Sequence, residues 1–258
     1  MKDFLEGILD KKEIDKAVYS SEKNCFIFDE VYKAEEISPK PLFFSEDVIK
    51  KSLSWRTQNY ELTKIWVDSL QSDDIVLDLG CGRLTNSNLL KKSKAIYVDG
   101  AFFEGINVVC DFGKKLPFKS SSVDAILFSN VFEHMKEPQL VLNEISRVLK
   151  KDGELLLLVP FNIKLHQTPF DFFRYTKYAL EYISSNSALT VKEIKEVGGV
   201  LNIMGTLFSQ ALQTEGNFLY KILLRFQFQL YRIQKKLFGD GKVIESNPQG
   251  YALYARKK

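Results

Sequence analysis

Short apolar runs recur along the middle of the chain, each four to six residues long and rich in β-branched or large aliphatic side chains. Runs of this length, bounded by glycine, proline or polar residues, are typical of strands buried on both faces of a parallel sheet. Five such strands are predicted: Ile75 to Leu79, Ala95 to Asp99, Ile106 to Cys110, Val123 to Phe128 and Leu155 to Val159.

Helical patterns separate these runs. They cover Ser45 to Leu70, the residues after Gly82 through Leu90, Pro138 to about Lys150, and Lys177 to Ser184 with Thr176 as its cap. Strands that alternate with helices at this spacing indicate right-handed crossovers and a doubly wound α/β sheet.

The end of the chain adds to this sheet. Gly250 to Arg256 alternates as a strand does, and we expect it to lie antiparallel beside the fifth strand. Leu189 to Val197 is expected at the sheet edge, which makes seven strands. The predicted organisation is an N-terminal helical cap (1–70), a Rossmann-like core (71–204), a helical insertion (205–240) and a final core strand (241–258). Within the cap, Cys25 to Phe28 is open to interpretation as a short strand or hairpin.

The first strand ends in a glycine turn that is typical of cofactor crevices. Asp78 is followed by Gly80 and Gly82, and glycine allows a ligand to approach where a Cβ would block it. The second strand ends in Asp99, about 20 residues after the first glycine, which is the spacing that places a carboxylate on a ribose. A tight structural turn is the alternative interpretation of the glycines alone.

Four polar side chains lie at or just after the carboxyl ends of the predicted strands: Asp78, Asp99, Asp111 and Asn130. Ligands of open α/β sheets bind at that edge, so the four together predict a binding site.

Composition narrows the function classes. The net charge is only +3, which argues against a nucleic-acid-binding protein. The three cysteines are odd in number and lack metal-ligand spacing, so no metal site is expected. The chain shows no apolar run of signal or membrane-spanning length, and we expect a cytoplasmic protein.

The strand-end motifs resemble those of class I S-adenosylmethionine-dependent methyltransferases of the type-11 domain group, over about residues 70 to 185. The carriers are Val76 to Gly82, Asp99, Asp111 with Leu116-Pro117-Phe118, Asp124-Ala125-Ile126, Asn130 to His134 and Arg147 to Gly153. The family often has glycine where this chain has Leu84.

The resemblance implies a site for S-adenosylmethionine. It implies Gly80, Gly82 and Asn130 beside the methionine part and Asp99 on the ribose hydroxyls. It also implies Asp111 and Phe112 at the adenine, and Asp78 belongs to the same cofactor motif.

The segment His166 to Thr176 resembles one in methyltransferases encoded with sugar and polysaccharide biosynthesis enzymes. His166 is the candidate general base for an acceptor hydroxyl; alternatively, it binds Asp171 and shapes the loop. Arg174 either holds an anionic acceptor or pairs with Asp171, and Tyr175 either borders the substrate or packs in the core. For His134 a structural or pocket-lining role is favoured.

The insertion carries a basic, aromatic-rich helical pattern from Asn217 to Phe238. Lys221, Arg225, Arg232 and Lys236 recur at steps of four and seven, which lines up one helix face. A lid, a homodimer contact and peripheral contact with an anionic membrane remain open.

These patterns predict a methyltransferase that acts on a small-molecule or glycan acceptor, most specifically a sugar or glycoconjugate hydroxyl that is lipid-linked or free. The alternatives are a methyltransferase of another small molecule, such as a quinone-type acceptor, and a non-catalytic cofactor-binding scaffold. An NAD dehydrogenase is disfavoured because the turn lacks a third glycine.

Overall fold

The computed structural model describes residues 1–29, 55–212 and 247–258, the side chains of 205 and 208–212 excepted, and single helical positions at 222, 226, 229, 233 and 236. Its strands are β1 (Val18–Ser20), β2 (Cys25–Ile27), β3 (Ile75–Leu79), β4 (Lys94–Asp99), β5 (Val108–Val109), β6 (Val123–Ser129), β7 (Leu149–Pro160), β8 (Leu189–Val197) and β9 (Gly250–Lys257). Its helices are α1 (Lys2–Ile8), α2 (Lys11–Ile14), α3 (Trp55–Val67), α4 (Pro138–Val148), α5 (Lys177–Ser185) and α6 (Val200–Leu212).

The nine strands form one sheet in the order β1-β2-β5-β4-β3-β6-β7-β9-β8. Strands β2 to β7 pair in parallel, whereas β9 lies antiparallel between β7 and β8. The Rossmann-like α/β fold and the antiparallel last strand are therefore confirmed. The strand count differs from the predicted seven because the hairpin β1–β2 extends the sheet at β5.

The alternation of side chains along the central strands builds an apolar core on each face of the sheet. Leu77 and Phe128 belong to the core that packs against α4 and α5, while Val76 and Leu127 belong to the core beneath α3. Strands buried on both faces favour apolar residues, which is why β3 and β6 are mainly apolar, with Asp78 and Asp124 as charged exceptions.

Three local predictions are confirmed. Helix α4 begins at Pro138, and α5 begins after Thr176, whose hydroxyl accepts a hydrogen bond from the Ala179 N–H at 3.2 Å. Strand β8 occupies the sheet edge at Leu189–Val197. The predicted start of the long N-terminal helix at Ser45 lies outside the described residues.

The helix predicted after the glycine turn is wrong. Residues 83–89 form successive turns, and only a short 3-10 helix follows at Leu90–Lys92. Leu84 has a left-handed backbone with φ of +59°, which is incompatible with a right-handed helix. The run of Asn86, Ser87 and Asn88 also favours turns over helix, because such short polar side chains compete with the helical backbone.

Among the described residues, no helix is long and apolar enough to cross a membrane. Helix α6 runs across the predicted boundary at residue 205 between the core and the insertion. Most of the insertion lies outside the described residues, so the four-part division stays a prediction.

Candidate functional site

The turn after β3 depends on glycine at two positions. Gly80 and Gly82 have φ of +72° and +53°, a region that side chains rarely adopt. A Cβ on Gly80 would lie 2.2 Å from Cγ2 of Val131, so the loop after β6 closes directly over the turn. The turn is therefore both left-handed and tightly covered.

Leu84 occupies a left-handed position in this turn without being glycine. Its side chain fills the space beside Gly105, where an added Cβ would lie 2.7 Å from Cδ1 of Leu84. A left-handed non-glycine residue costs roughly 1–2 kcal/mol. The leucine side chain packs between the turn and the loop before β5, and this apolar contact offsets part of that cost.

Asp99 holds the turn from the end of β4. One carboxylate oxygen accepts a hydrogen bond from the Gly82 N–H at 2.8 Å, and the other accepts one from the Ala101 N–H at 3.1 Å. Burial raises the pKa of Asp99, while its backbone hydrogen bonds act in the opposite direction. The side chain is therefore fixed where the sequence predicts the ribose contact.

Asp78 is a buried carboxylate one strand away, and its side chain is only 1% exposed. Burial and then the nearby Asp99 charge raise the pKa of Asp78 to about 7, against a hydrogen bond from Asn86 that lowers it. Its Oδ2 has no hydrogen-bond partner among the described residues. An acceptor left without a donor in this position would suit a cationic ligand group.

Asn130 directly follows β6 and has φ of +56°. Two side chains of helix α3 contact it. Its Oδ1 accepts hydrogen bonds from the indole N–H of Trp55 at 2.6 Å and from the side-chain amide of Asn59 at 3.2 Å. Sequence reasoning missed both α3 residues, since no motif links them to Asn130. A further buried acceptor, Oδ1 of Asn59, has no partner among the described side chains.

The two residues predicted at the adenine, Asp111 and Phe112, both contact other parts of the chain. Asp111 accepts a hydrogen bond from the Gly113 N–H at 2.8 Å, so it shapes the loop after β5. Phe112 is buried, with its ring edge-on to Phe128 at 6.2 Å between centroids. In this arrangement Phe112 forms part of the core.

A second polar cluster lies after β6 and β7. Glu133 and His134 come from the 3-10 helix at Phe132–His134, and His166 comes from the loop after β7. Nε2 of His166 lies 3.5 Å from Oε1 of Glu133, and Nε2 of His134 lies 3.7 Å from the same oxygen. Sequence reasoning identified the histidines separately but missed that Glu133 joins them.

The loop that carries His166 is held by an ion pair. Arg174 donates to both oxygens of Asp171, at 2.5 Å and 2.7 Å, and Asp171 also accepts from the His166 backbone N–H at 2.9 Å. Burial opposes ionisation of Asp171, but Arg174 and the His166 N–H outweigh it and lower the pKa to about 2. The carboxylate of Glu133 raises the pKa of His166 above its usual value.

The structure gives partners for two of these residues. Arg174 forms the ion pair with Asp171, which was one of its two predicted roles, while its contact with an anionic acceptor stays a prediction. Tyr175 is buried, with its ring stacked on Phe132 at 4.8 Å and its hydroxyl donating to the Phe132 carbonyl at 3.3 Å. Tyr175 thus occupies a core position, and its contact with substrate stays a prediction.

Comparison with known proteins shows a partial match to one domain family and a shared fold. Residues 77–157 match the methyltransferase domain family. The uncharacterized protein MJ0638 of Methanocaldococcus jannaschii is 32% identical over 126 residues, which are 45% of this chain and 50% of that protein. The chain thus spans about half the length of this curated relative.

Two solved structures share the fold at low identity. Geranyl diphosphate C-methyltransferase from Streptomyces coelicolor A3(2) superposes with a TM-score of 0.55 and 14% identity, over 89% of this chain and 86% of that one. The [4+2]-cyclase SpnF superposes with a TM-score of 0.52 and 14% identity, over 80% and 83%. Over residues 77–157 the chain thus resembles methyltransferase domains, and the two solved structures share its fold.

Proposed function

We propose that the protein transfers the methyl group of S-adenosylmethionine to a hydroxyl of a sugar or glycoconjugate acceptor. The observation that carries this proposal is the position of the His166 cluster at the carboxyl ends of β6 and β7, next to the strands that end in the cofactor turn. The sugar class of the acceptor rests on the resemblance of the segment from His166 to Thr176.

The unpartnered polar atoms around the turn fit the methionine part of this cofactor. Oδ2 of Asp78 and Oδ1 of Asn59 are buried acceptors without donors in the described part of the chain, which suits an ammonium group. Nε of Arg83 is a buried donor that likewise has no hydrogen-bond partner there, which suits a carboxylate. A buried polar atom without a partner is costly, so a zwitterionic ligand would offset all three.

The proposed roles follow from the strand ends. Asp99 binds the ribose hydroxyls, Gly80 and Gly82 allow the methionine part to approach the backbone, and Asp111 with Phe112 borders the adenine. Asp78 and Asn130 complete the cofactor site. Asp171 and Arg174 hold the loop that carries His166 toward the acceptor.

The cofactor would supply a methyl group on a sulfonium whose sulfur leaves as a neutral thioether, so the protein's main task is to position the acceptor. The acceptor oxygen forms the new bond to the methyl carbon, the carbon–sulfur bond breaks, and its electron pair returns to sulfur. The proton of the hydroxyl goes to Nε2 of His166, which is the partly exposed member of its cluster.

Peripheral membrane contact through residues 217–238 is part of the proposal, because it would bring a lipid-linked acceptor to the site. Helical positions 222, 226 and 233 carry Ile, Phe and Ile, and all three side chains are exposed. Each directly follows one of Lys221, Arg225 and Arg232 in the sequence. An exposed apolar stripe beside a basic one is typical of helices that lie on anionic membranes.

Calorimetric titration with S-adenosylmethionine, followed by a turnover assay with nucleotide- and lipid-linked sugars, tests this function. We expect micromolar cofactor binding and formation of S-adenosylhomocysteine that depends on a sugar acceptor. His166→Gln should lower turnover at least tenfold and leave cofactor affinity unchanged, whereas Glu181→Gln, on the exposed face of α5, should change neither.

Other outcomes of the same assay identify the alternatives. Turnover with a quinone-type acceptor but no sugar would replace the acceptor class. Cofactor binding without turnover on any acceptor would favour the non-catalytic scaffold, since one fold can host different functions.

A further inference from the structure

Three acceptor atoms meet at the cluster of Glu133, His134 and His166 without a donor between them. The Glu133 side chain is fully buried, and neither of its oxygens has a hydrogen-bond partner among the described residues. Nε2 of His134, whose side chain is 7% exposed, is also unpartnered there. A buried carboxylate without a hydrogen-bond partner is costly, and the cluster can offset that cost with a positive charge, either on His166 or on a bound cation.

The other ring nitrogens show which tautomers are present. Nδ1 of His134 lies 2.9 Å from the carbonyl oxygen of Phe170, which can only accept, so Nδ1 carries the proton. Nδ1 of His166 faces Oδ2 of Asp171 at 3.2 Å and the carbonyl oxygen of Lys164 at 3.3 Å, which are again acceptors. In each neutral imidazole the lone pair is therefore on Nε2, directed toward the Glu133 carboxylate.

We propose that Glu133, His134 and His166 bind a divalent transition-metal ion through Oε1 and the two Nε2 atoms. One ligand atom from each residue lies within 4.8 Å of the others, and the two measured separations from Oε1 are 3.5 Å and 3.7 Å. Zinc bound at about 2.1 Å in a tetrahedral site needs ligand atoms about 3.4 Å apart. The two separations from Oε1 are close to that value, and the two histidine nitrogens, within 4.8 Å of each other, would move together on binding. Two imidazoles and one carboxylate form a ligand set that suits zinc, iron, cobalt and manganese.

The second layer around the cluster is that of a metal site. Ligating histidines normally donate their other ring N–H to a carboxylate or a backbone carbonyl. Here His166 faces Asp171, which Arg174 holds with two hydrogen bonds, and His134 faces the Phe170 carbonyl. The segment from His166 to Arg174 thus contains one ligand and the groups that orient it.

Three protein ligands leave at least one coordination position for water or substrate, and the 29% exposure of the His166 side chain provides access to it. In a role that rests on the proposed function, the metal binds the acceptor hydroxyl and lowers the pKa of that hydroxyl. Nε2 of His166 is then a ligand, and the hydroxyl proton leaves to solvent rather than to His166.

Titration of the chelator-treated protein with zinc chloride tests the site directly. We expect one zinc per chain with a dissociation constant below 1 µM, and a loss of affinity of at least 100-fold in His134→Gln and in His166→Gln. Asp171→Asn should weaken binding by about 10- to 100-fold, as loss of an orienting partner does. Glu181→Gln is the matched control and should bind zinc as the parent protein does.

Two further measurements identify the metal ligands without an activity assay and check that each variant is folded. Zinc-edge X-ray absorption of the parent protein should show two imidazole nitrogens and no sulfur, which separates this site from the three cysteines. S-adenosylmethionine binding checks that each variant is folded, since the cofactor turn lies outside the cluster. Sulfur ligation, the absence of 1:1 binding or unchanged affinity in both histidine variants would overturn the metal site.

Activity assays separate the site from its role. Zinc binding in a protein that methylates no acceptor would leave the metal site standing and remove the proposed function. Full turnover by the metal-free protein would confine the metal to a structural role and return His166 to the role of base.

Discussion

Asp78 is the residue whose ionisation is most closely tied to its position in the fold. Asp78 is the next-to-last residue of β3. Burial and the nearby charge of Asp99 raise the pKa of Asp78 to about 7. An aspartate in an unfolded chain has a pKa of about 3.9. The folded protein therefore holds a proton that the unfolded chain has already released between about pH 4 and pH 7.

This difference makes the free energy of unfolding fall as the pH rises from about 4 to 7, and stay at the lower value above that window. Each unit of pKa shift corresponds to about 1.4 kcal/mol, so the change due to Asp78 amounts to at most roughly 4 kcal/mol. Asp78→Asn should remove it. Urea unfolding at pH 5 and pH 8 measures the effect, and Asp73→Asn, in the exposed turn before β3, is the control. Equal pH dependence in the parent and in Asp78→Asn would contradict the assignment.

Asp99 is a second residue whose role can be tested by one substitution. It holds the turn through the Gly82 N–H and is proposed to bind the ribose hydroxyls. Asp99→Asn keeps the size of the side chain but removes the charge, and we expect it to weaken S-adenosylmethionine binding by roughly 1–3 kcal/mol. Calorimetric titration measures the change. Glu104→Gln, an exposed acid in the following loop, should leave affinity unaltered. If Asp99→Asn binds the cofactor as tightly as the parent protein, the ribose assignment fails.

At the scale of elements, helix α5 is the segment that anchors the loop from His166 to Tyr175 to the sheet. Thr176 begins it by accepting the Ala179 N–H, and Leu180 on the inner face of the helix is buried in the core shared with α4. The cap therefore sets where the loop ends.

Thr176→Ala removes the cap and should lower the free energy of unfolding by about 1 kcal/mol, the usual value of such a hydrogen bond. Thr176→Ser retains the hydroxyl and should remain within about 0.5 kcal/mol of the parent protein. Urea unfolding followed by circular dichroism distinguishes the two. A serine variant as unstable as the alanine variant would assign the effect to the lost methyl group instead.

The whole molecule combines a doubly wound core with two additions that the core does not require. One is the hairpin β1–β2, which covers the edge of β5 and extends the sheet. The other is the segment 217–238, which the sequence predicts to be a basic helix and in which the described Ile222, Phe226 and Ile233 are exposed. The first addition protects an edge strand, which unpaired would invite association.

For the second addition we predict binding to anionic lipid. Replacement of Lys221, Arg225 and Arg232 by Gln should reduce binding to phosphatidylglycerol vesicles about 100-fold, since each basic residue near such a surface contributes about 1 kcal/mol. Vesicle co-sedimentation at fixed salt measures it. The same three replacements at the exposed Lys91, Lys92 and Lys151 are the control. A parent protein that ignores anionic vesicles would leave the lid and dimer interpretations.

Much of the core could be predicted from the chain because its rules are local. Strands buried on both faces are mainly apolar, a helix can begin with proline or with a threonine cap, and glycine takes the left-handed backbone of the turn after β3. These rules correctly placed β3, β6, α4 and α5. They failed after Gly82, where Leu84 takes a left-handed backbone although it is not glycine, and where the turn-favouring Asn86, Ser87 and Asn88 were given too little weight.

By itself the sequence determined the α/β class, the succession of the core strands along the chain, and the strand ends where Asp78, Asp99 and Asn130 lie. Tertiary structure alone decided which polar groups meet there. Trp55 reaches Asn130 across 75 positions of the chain, and Glu133 faces His166 from a neighbouring strand end. Periodicity reports which side of an element is buried, whereas contacts between elements depend on how the whole sheet twists and packs. For that reason the chain revealed a cofactor turn, and only the fold revealed the three-residue cluster beside it.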